Sequence, residues 1–137
     1  MHVLDSYCVV VTPRLKECRD FYVRWFQCAV IFEASWFALL ALPGDPPRNV
    51  AFMDPDHPST PPGPDIFTGT GVFLTLQVAD AAAEFAKLRD AGATFAYDLR
   101  DEPWGQRRFA LRDPSGTWID VVEQIEPAPG FWDPYFA

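Results

Sequence analysis

Residues 54–65, "DPDHPSTPPGPD", hold five prolines in twelve positions, and so dense a run excludes helix and sheet there. It divides the chain into two halves that carry the same succession of signals. Upstream, "SYCVVV" reads as a strand, "TPRLKECRDFYVRWF" as a helix, and "CAVIFE", "WFALLAL" and "NVAFM" as three short strands. Downstream, "VFLTLQV" reads as a strand, "DAAAEFAKLRDAG" as a helix, and "ATFAYDL", "RRFALR" and "TWIDVVE" as three strands. A β-α-β-β-β pattern occurring twice constrains the fold strongly, because each helix must bury its apolar stripe and each half supplies a sheet to receive it. The expected class is α+β in a single domain over 1–137, with a first βαβββ module over 5–53, a Pro-rich linker over 54–68, a second module over 69–125 and an aromatic tail over 126–137.

Local chemistry supports the two helices. Thr12 is placed to cap the first, with Pro13 at its first position, and Leu15, Cys18, Tyr22 and Trp25 recur on one face. Asp80 is placed to cap the second, Ala81, Phe85 and Leu88 form its inner stripe, and Gly92 offers a left-handed stop. Strand alternation then assigns faces. Val72, Leu74, Leu76 and Val78 belong on the helix side, as do Ile119 and Val121; Phe73, Thr75, Gln77, Trp118, Asp120 and Val122 belong on the far side. A hairpin turn closing at 113–116 puts Leu111 opposite Trp118 and Phe109 opposite Asp120, with Arg107 one diagonal step from Asp120. Each sheet thus has one apolar face and one mixed, aromatic-rich face, and two such faces turned toward each other would enclose a cavity.

Composition narrows the function classes. A formal net charge of −8 repels phosphate backbones, which argues against a nucleic-acid partner and suits a soluble surface or a cationic or neutral ligand. The apolar runs are too short to span a bilayer and the start lacks a secretory pattern, so the expected location is cytoplasmic. Cys8, Cys18 and Cys28 form an odd set without a CxxC pair and read as small hydrophobes in a reducing compartment. Twelve Phe and five Trp exceed the ordinary need of a small core, so part of them is available to line a pocket or an interface.

With "FY" at 21–22 and above all "EPWGQRRFALRDPSGTWID" at 102–120, the chain resembles the vicinal-oxygen-chelate superfamily of glyoxalases, bleomycin-resistance proteins and dioxygenases. The block "PWG" followed by "FALRDPSG" is most similar to the bleomycin-resistance branch. The resemblance covers nearly the whole chain to about residue 125. It implies paired βαβββ modules forming curved mixed sheets around a cavity, and a homodimer. It also implies, for the members that do chemistry, a divalent metal held by a His in the first strand of each module and a Glu in the last strand. The matching positions here are Ser6, Phe73 and Asp120, so only one of the three carries a ligand side chain. No metal, no cofactor and no catalytic residue set is therefore expected. Asp120 is left with three roles: general base, partner of Arg107, or hydrogen-bonding anchor for a ligand.

The bleomycin-resistance branch binds a cytotoxic natural product by stacking its rings on protein aromatics, and this chain has candidates for that task. They are Phe32 and Phe37 on the first module, and Phe73, Trp104, Phe109 and Trp118 on the second, with Arg107 and Asp120 as polar anchors. Thr75 and Gln77 depart from the Trp that the branch can carry there. The expected function is metal-free sequestration of a planar aromatic natural product such as an antibiotic. The alternatives are a metal-dependent glyoxalase-, thiol-transferase- or dioxygenase-type enzyme, or a metal-free biosynthetic accessory protein. The tail "IEPAPGFWDPYFA" carries Phe131, Trp132, Tyr135 and Phe136, which a disordered segment seldom does. Removing residues 128–137 is expected to lower the denaturation midpoint or the ligand affinity; a truncated protein unchanged in both would contradict a packed tail.

Overall fold

Each half of the chain builds a four-stranded mixed sheet with one helix against one face, an α+β architecture. The computed structural model describes residues 1–58 and 65–136. The middle of the Pro-rich linker, residues 59–64, and Ala137 lie outside the described residues. The first half runs β1 (Val9–Val11), α1 (Leu15–Phe26), β2 (Ala29–Glu33), β3 (Phe37–Leu42), β4 (Arg48–Met53). The second runs β5 (Leu74–Gln77), α2 (Ala81–Asp90), β6 (Tyr97–Glu102), β7 (Gln106–Arg112), β8 (Trp118–Gln124), followed by a 3-10 turn at Asp133–Tyr135. No helix among the described residues is long and apolar enough to cross a membrane.

By its contacts the chain separates into two units, the first comprising Met1–Thr70 together with the turn Asp113–Gly116. Its sheet has the order β1-β4-β3-β2, with β1 parallel to β4 and the other pairs antiparallel. Leu15, Cys18 and Tyr22 recur at helical spacing and are the buried face of α1, as the sequence pattern expects. The Tyr22 ring meets Phe52 at 5.1 Å between centroids. That contact fixes the alternation: Phe52, Ala38, Leu40 and Val50 face the helix, while Phe32, Phe37, Leu39, Ala51 and Met53 lie on the opposite face. The helix begins two residues later than expected, at Leu15 rather than Pro13. Thr12 Oγ1 accepts the Arg14 N–H at 3.1 Å and so closes a turn ahead of the helix rather than capping it.

A buried polar clamp joins α1 to the turn 113–116. The Tyr22 hydroxyl donates to Asp113 Oδ2 at 2.8 Å, and Asp113 Oδ1 accepts from the Ser115 N–H and hydroxyl at 2.8 and 2.5 Å. Burial, and then the Asp113 charge, hold the Tyr22 hydroxyl well above the ordinary phenol range, so it stays a donor. Burial also pushes the Cys18 thiol up to about 12 and the Cys28 thiol up to about 11. Both thiols are buried and protonated near neutral pH, as expected of small buried hydrophobes, whereas Cys8, read the same way from the sequence, is exposed.

The second unit comprises Gly71–Arg112 and the chain from Thr117 onward. Its sheet has the order β5-β8-β7-β6, again with its first strand parallel to its last. Asp80 caps α2 by accepting the Ala83 N–H at 3.0 Å, and Glu123 on β8 accepts the Ala81 N–H at 2.9 Å. Leu74, Leu76, Ile119 and Val121 share register rows, in line with the alternation read from the sequence, but Val72, expected on the same side, precedes the strand and is exposed. On that side Phe85 of α2 meets Phe95 and Phe109 at 4.5 and 5.4 Å. Phe95 turns in to make these contacts ahead of the ladder. Strand β6 therefore starts at Tyr97 and runs through the polar "DLRDE", later than the 93–99 expected, which an edge strand tolerates.

The register of β7 against β8 corrects the sequence expectation. Arg112, not Leu111, lies opposite Trp118, and Asp120 lies opposite Ala110, not Phe109. The cause is Gly116 at φ +89°, a left-handed residue following a turn in which the Gly116 N–H bonds the Asp113 carbonyl at 2.9 Å. A turn followed by a left-handed residue makes a three-residue loop, one longer than a tight hairpin, and shifts the register by one. All side chains of β7 change faces as a result. Phe109 and Leu111 join the buried helix side, and Arg108 takes the place expected of Arg107. Replacing Tyr22 with Phe leaves Asp113 Oδ2 without its buried donor and is expected to cost about 1–3 kcal/mol at unchanged m-value in urea denaturation. An unshifted midpoint would show that this bond does not hold the turn.

Candidate functional site

The face of the second sheet away from α2 collects the polar and aromatic chemistry of the chain. Register places Thr75, Asp120, Ala110 and Tyr97 in one row, and Gln77, Val122, Arg108 and Arg100 in the next. A bulge between Tyr97 and Arg100 keeps both on this face although three positions separate them. Ala110 is the smallest side chain in the first row, and the Arg108 guanidinium lies across the space it leaves. Arg108 Nη1 donates to Asp120 Oδ2 at 3.0 Å and reaches Oδ1 at 3.3 Å. Its carbon centre sits 4.7 Å from the Tyr97 ring and 5.2 Å from the Trp104 ring.

The two carboxylates around Arg108 have further donors. Asp120 also accepts the Trp118 indole N–H, and Glu102 accepts the Tyr97 hydroxyl. Glu102 Oε1 lies 3.5 Å from Arg108 Nε, an ion pair without hydrogen-bond alignment, so that buried Nε–H has no acceptor. Burial works against the Arg108 charge, but the Asp120 hydrogen bond and the two carboxylate charges outweigh it and hold its pKa above the ordinary arginine value. The site is therefore a charge-assisted network framed by three rings, Tyr97, Trp104 and Trp118.

Trp104 is positioned by the earlier of two acid-Pro-x-Gly turns in the chain. In "EPWG" the Gly105 N–H bonds the Glu102 carbonyl at 3.1 Å, the same closure as in "DPSG". Gly105 has φ +107°, and a Cβ there would stand 2.9 Å from the Ile125 carbonyl oxygen, so only glycine lets the tail pass this close. The tail is then fastened to the turn. The Ala128 N–H bonds the Pro103 carbonyl at 2.9 Å, and the Trp132 indole N–H bonds the Trp104 carbonyl at 2.9 Å. The Trp104 indole itself donates to Gln106 Oε1 at 2.9 Å.

The residues nominated from the sequence fall into four places. Trp104, Trp118 and Asp120 meet on this face, bridged by Arg108. Phe32 and Phe37 stand together in the first unit, 6.3 Å between ring centroids, with Phe32 56% exposed. Phe73 precedes β5 and is 59% exposed. Arg107 and Phe109, contrary to expectation, belong to the opposite face because of the register shift. Arg107 pairs with Asp101 at 2.7 Å and lies 3.7 Å from Glu123, and Phe109 is fully buried against Phe85 and Phe95. Sequence reasoning missed Arg108, Tyr97 and Glu102. "QRRF" offers two adjacent arginines, and only the loop length of the turn says which of them reaches Asp120.

The metal that the fold family implies does not fit these residues. A divalent cation needs several converging anionic or lone-pair donors, and Asp120 instead faces a guanidinium at 3.0 Å and an indole N–H. Among the described residues no group of three or more His, Cys, Asp or Glu side chains converges.

The family model described as Glyoxalase/Bleomycin resistance protein/Dioxygenase superfamily matches residues 5–121. The chain belongs to this superfamily. Its fold is similar to that of a glyoxalase/bleomycin resistance protein/dioxygenase from Nocardioides, with TM-score 0.74, 20% identity, and coverage of 95% of this chain and 89% of that one. It is also similar to TioX from Micromonospora sp. ML1 (TM-score 0.64, 20% identity, 88% and 98% covered). A third likeness is to lactoylglutathione lyase from Agrobacterium tumefaciens (TM-score 0.68, 15% identity, 85% and 90% covered). An uncharacterized protein of Mycobacterium bovis, Mb0911c, is 40% identical over 53 residues, which covers 39% of this chain and 35% of that protein. The matching part thus spans about a third of the length of the curated relatives. The superfamily contains both enzymes and binding or resistance proteins, so the reading of this member rests on its own side chains.

Truncating Asp120 to Ala removes the carboxylate hydrogen-bonded to the partly buried Arg108 guanidinium and leaves it only the unaligned Glu102 ion pair. The variant is expected to lose about 2–4 kcal/mol of stability in chemical denaturation, with Asp120→Asn losing less because it keeps an acceptor. Equal stability of Asp120→Ala and the wild type would mean the pair is solvent-screened and not part of a closed network.

Proposed function

We propose that the protein is a metal-free binder that sequesters a planar aromatic natural product, of the kind handled in antibiotic resistance. The observation that carries this reading is Arg108 bound to Asp120 between the rings of Tyr97, Trp104 and Trp118. The carboxylate at the family's metal position is already neutralised by a side chain, and what surrounds it are flat surfaces. Aromatic side chains and a guanidinium plane offer large rigid contact area at low ordering cost, which suits stacking on a conjugated ring system. The ligand-facing residues of the second unit are proposed to be Trp104, Trp118, Asp120 and Arg108, with Phe73 as a further ring; Phe32 and Phe37 are proposed as ligand-contacting rings of the first unit.

Catalysis is not part of the proposal. A general base needs a carboxylate free to take a proton, and both Asp120 oxygens accept from Arg108, with Trp118 adding a third donor. The working form is proposed to be a cytoplasmic homodimer. The edge strand β2 supports association, since Val30, Ile31 and Phe32 are all exposed along an open edge.

Titration of the full chain with DNA-intercalating and glycopeptide antibiotics, read by tryptophan fluorescence, tests the reading. Saturable quenching is expected, weakened about tenfold or more in Trp104→Ala, a loss of the size a stacked ring supplies. Absence of quenching by all such compounds, together with turnover of any substrate, would replace the binder by a metal-free enzyme.

A further inference from the structure

The face of the second sheet away from α2 gathers arginines in a chain that is acidic as a whole. The protein carries a formal −8. Yet the register places three arginines, Arg100, Arg108 and Arg112, on this face against two carboxylates, Glu102 and Asp120. Each arginine lies over a ring: Arg100 4.4 Å from Tyr97, Arg108 4.7 Å from Tyr97 and 5.2 Å from Trp104, Arg112 5.2 Å from Trp118. The acidic and basic partners Asp101, Arg107 and Glu123 pair with one another on the other face and do not alter this balance.

We infer that this face selects planar aromatic carboxylates, a ligand class that rests on the binding reading above and makes it specific. A guanidinium stacked on a ring keeps its N–H edge available in its own plane, which is the geometry that grips a carboxylate. Arg108 already holds Asp120 and Glu102. Arg100 is exposed, rests on the Tyr97 ring, and has no carboxylate partner among the described residues. It stands directly across from Arg108, in the same register row. The buried Arg108 Nε–H without an acceptor adds to the excess of donors over acceptors here. A flat ring seated beside Tyr97 and Trp104 would bring an attached carboxylate to Arg100.

Net charge alone favours a cationic or neutral guest, but it acts weakly at this distance. Exposed charges farther than about 8 Å are largely screened at physiological ionic strength, so the arginines in contact decide.

Isothermal titration calorimetry of the full chain with three probes of one ring system tests the inference: 2-naphthoate, 2-naphthalenemethanol and 2-naphthylmethylammonium. The carboxylate is expected to bind about tenfold or more tighter than the alcohol, and the ammonium more weakly than either. The preference is expected to shrink as salt rises, to approach unity in Arg100→Gln, and to survive in part in Arg100→Lys. Equal affinities for carboxylate and alcohol, tightest binding of the ammonium, or an undiminished preference in Arg100→Gln overturns the inference and leaves aromatic binding standing. Failure of all three probes to bind overturns the binding reading itself, and this inference with it.

Discussion

Strand β7 is held between two turns of the same chemistry, "EPWG" before it and "DPSG" after it. Each closes through a glycine N–H to the carbonyl of the acid three residues earlier, and each places that glycine at positive φ. The second turn is also anchored at its side chain, where Asp113 takes hydrogen bonds from Ser115 and from Tyr22 of α1. These constraints leave β7 one register against β8. Since a shift of one residue exchanges the two faces of a strand, they decide at once that Phe109 is core and that Arg108 reaches Asp120. The core of the second unit and its candidate site are consequences of one loop length.

That register makes an electrostatic substitution possible. For members that do chemistry the family resemblance implies a metal held by carboxylate and imidazole ligands, and in this chain the cation beside Asp120 is the guanidinium of Arg108. An arginine neutralises the carboxylate as a metal would, but it offers no open coordination position at which a substrate oxygen is polarised. It offers a plane, and the neighbouring rings extend that plane. Trp118 and Tyr97 spend their polar ends on Asp120 and Glu102, so the network is satisfied nearly throughout, and rings held by their own hydrogen bonds would lose little freedom to a ligand of the proposed kind.

Much of this was legible in the sequence where periodicity carries it. The doubled β-α-β-β-β order, the inner stripes of both helices, the Asp80 cap and the faces of β5 and β8 come from apolar spacing and cap chemistry alone. The site was legible in part. Asp120 and Trp118 stand on the face that alternation gives them, whereas Trp104, named only through the resemblance, is brought beside them by the "EPWG" turn. Arg107 and Phe109 stand on the face opposite to the one expected, because "RRFALR" is apolar enough on either alternation to make a strand, and the deciding fact is the conformation of Gly116. Tyr97 escaped for a related reason. It sits at the start of an edge strand with a bulge, and a bulge breaks the alternation by which faces are read.

The central claim is that Arg108 and Asp120 form a closed pair serving ligand binding without a metal. Its most direct test is the affinity for an aromatic ligand measured by calorimetry on protein as purified, after exhaustive chelation, and after addition of zinc or manganese. The account predicts one affinity under all three conditions and no stoichiometric metal bound to the purified protein. Loss of binding on chelation that zinc or manganese restores, with the metal coordinated by Asp120, would contradict it.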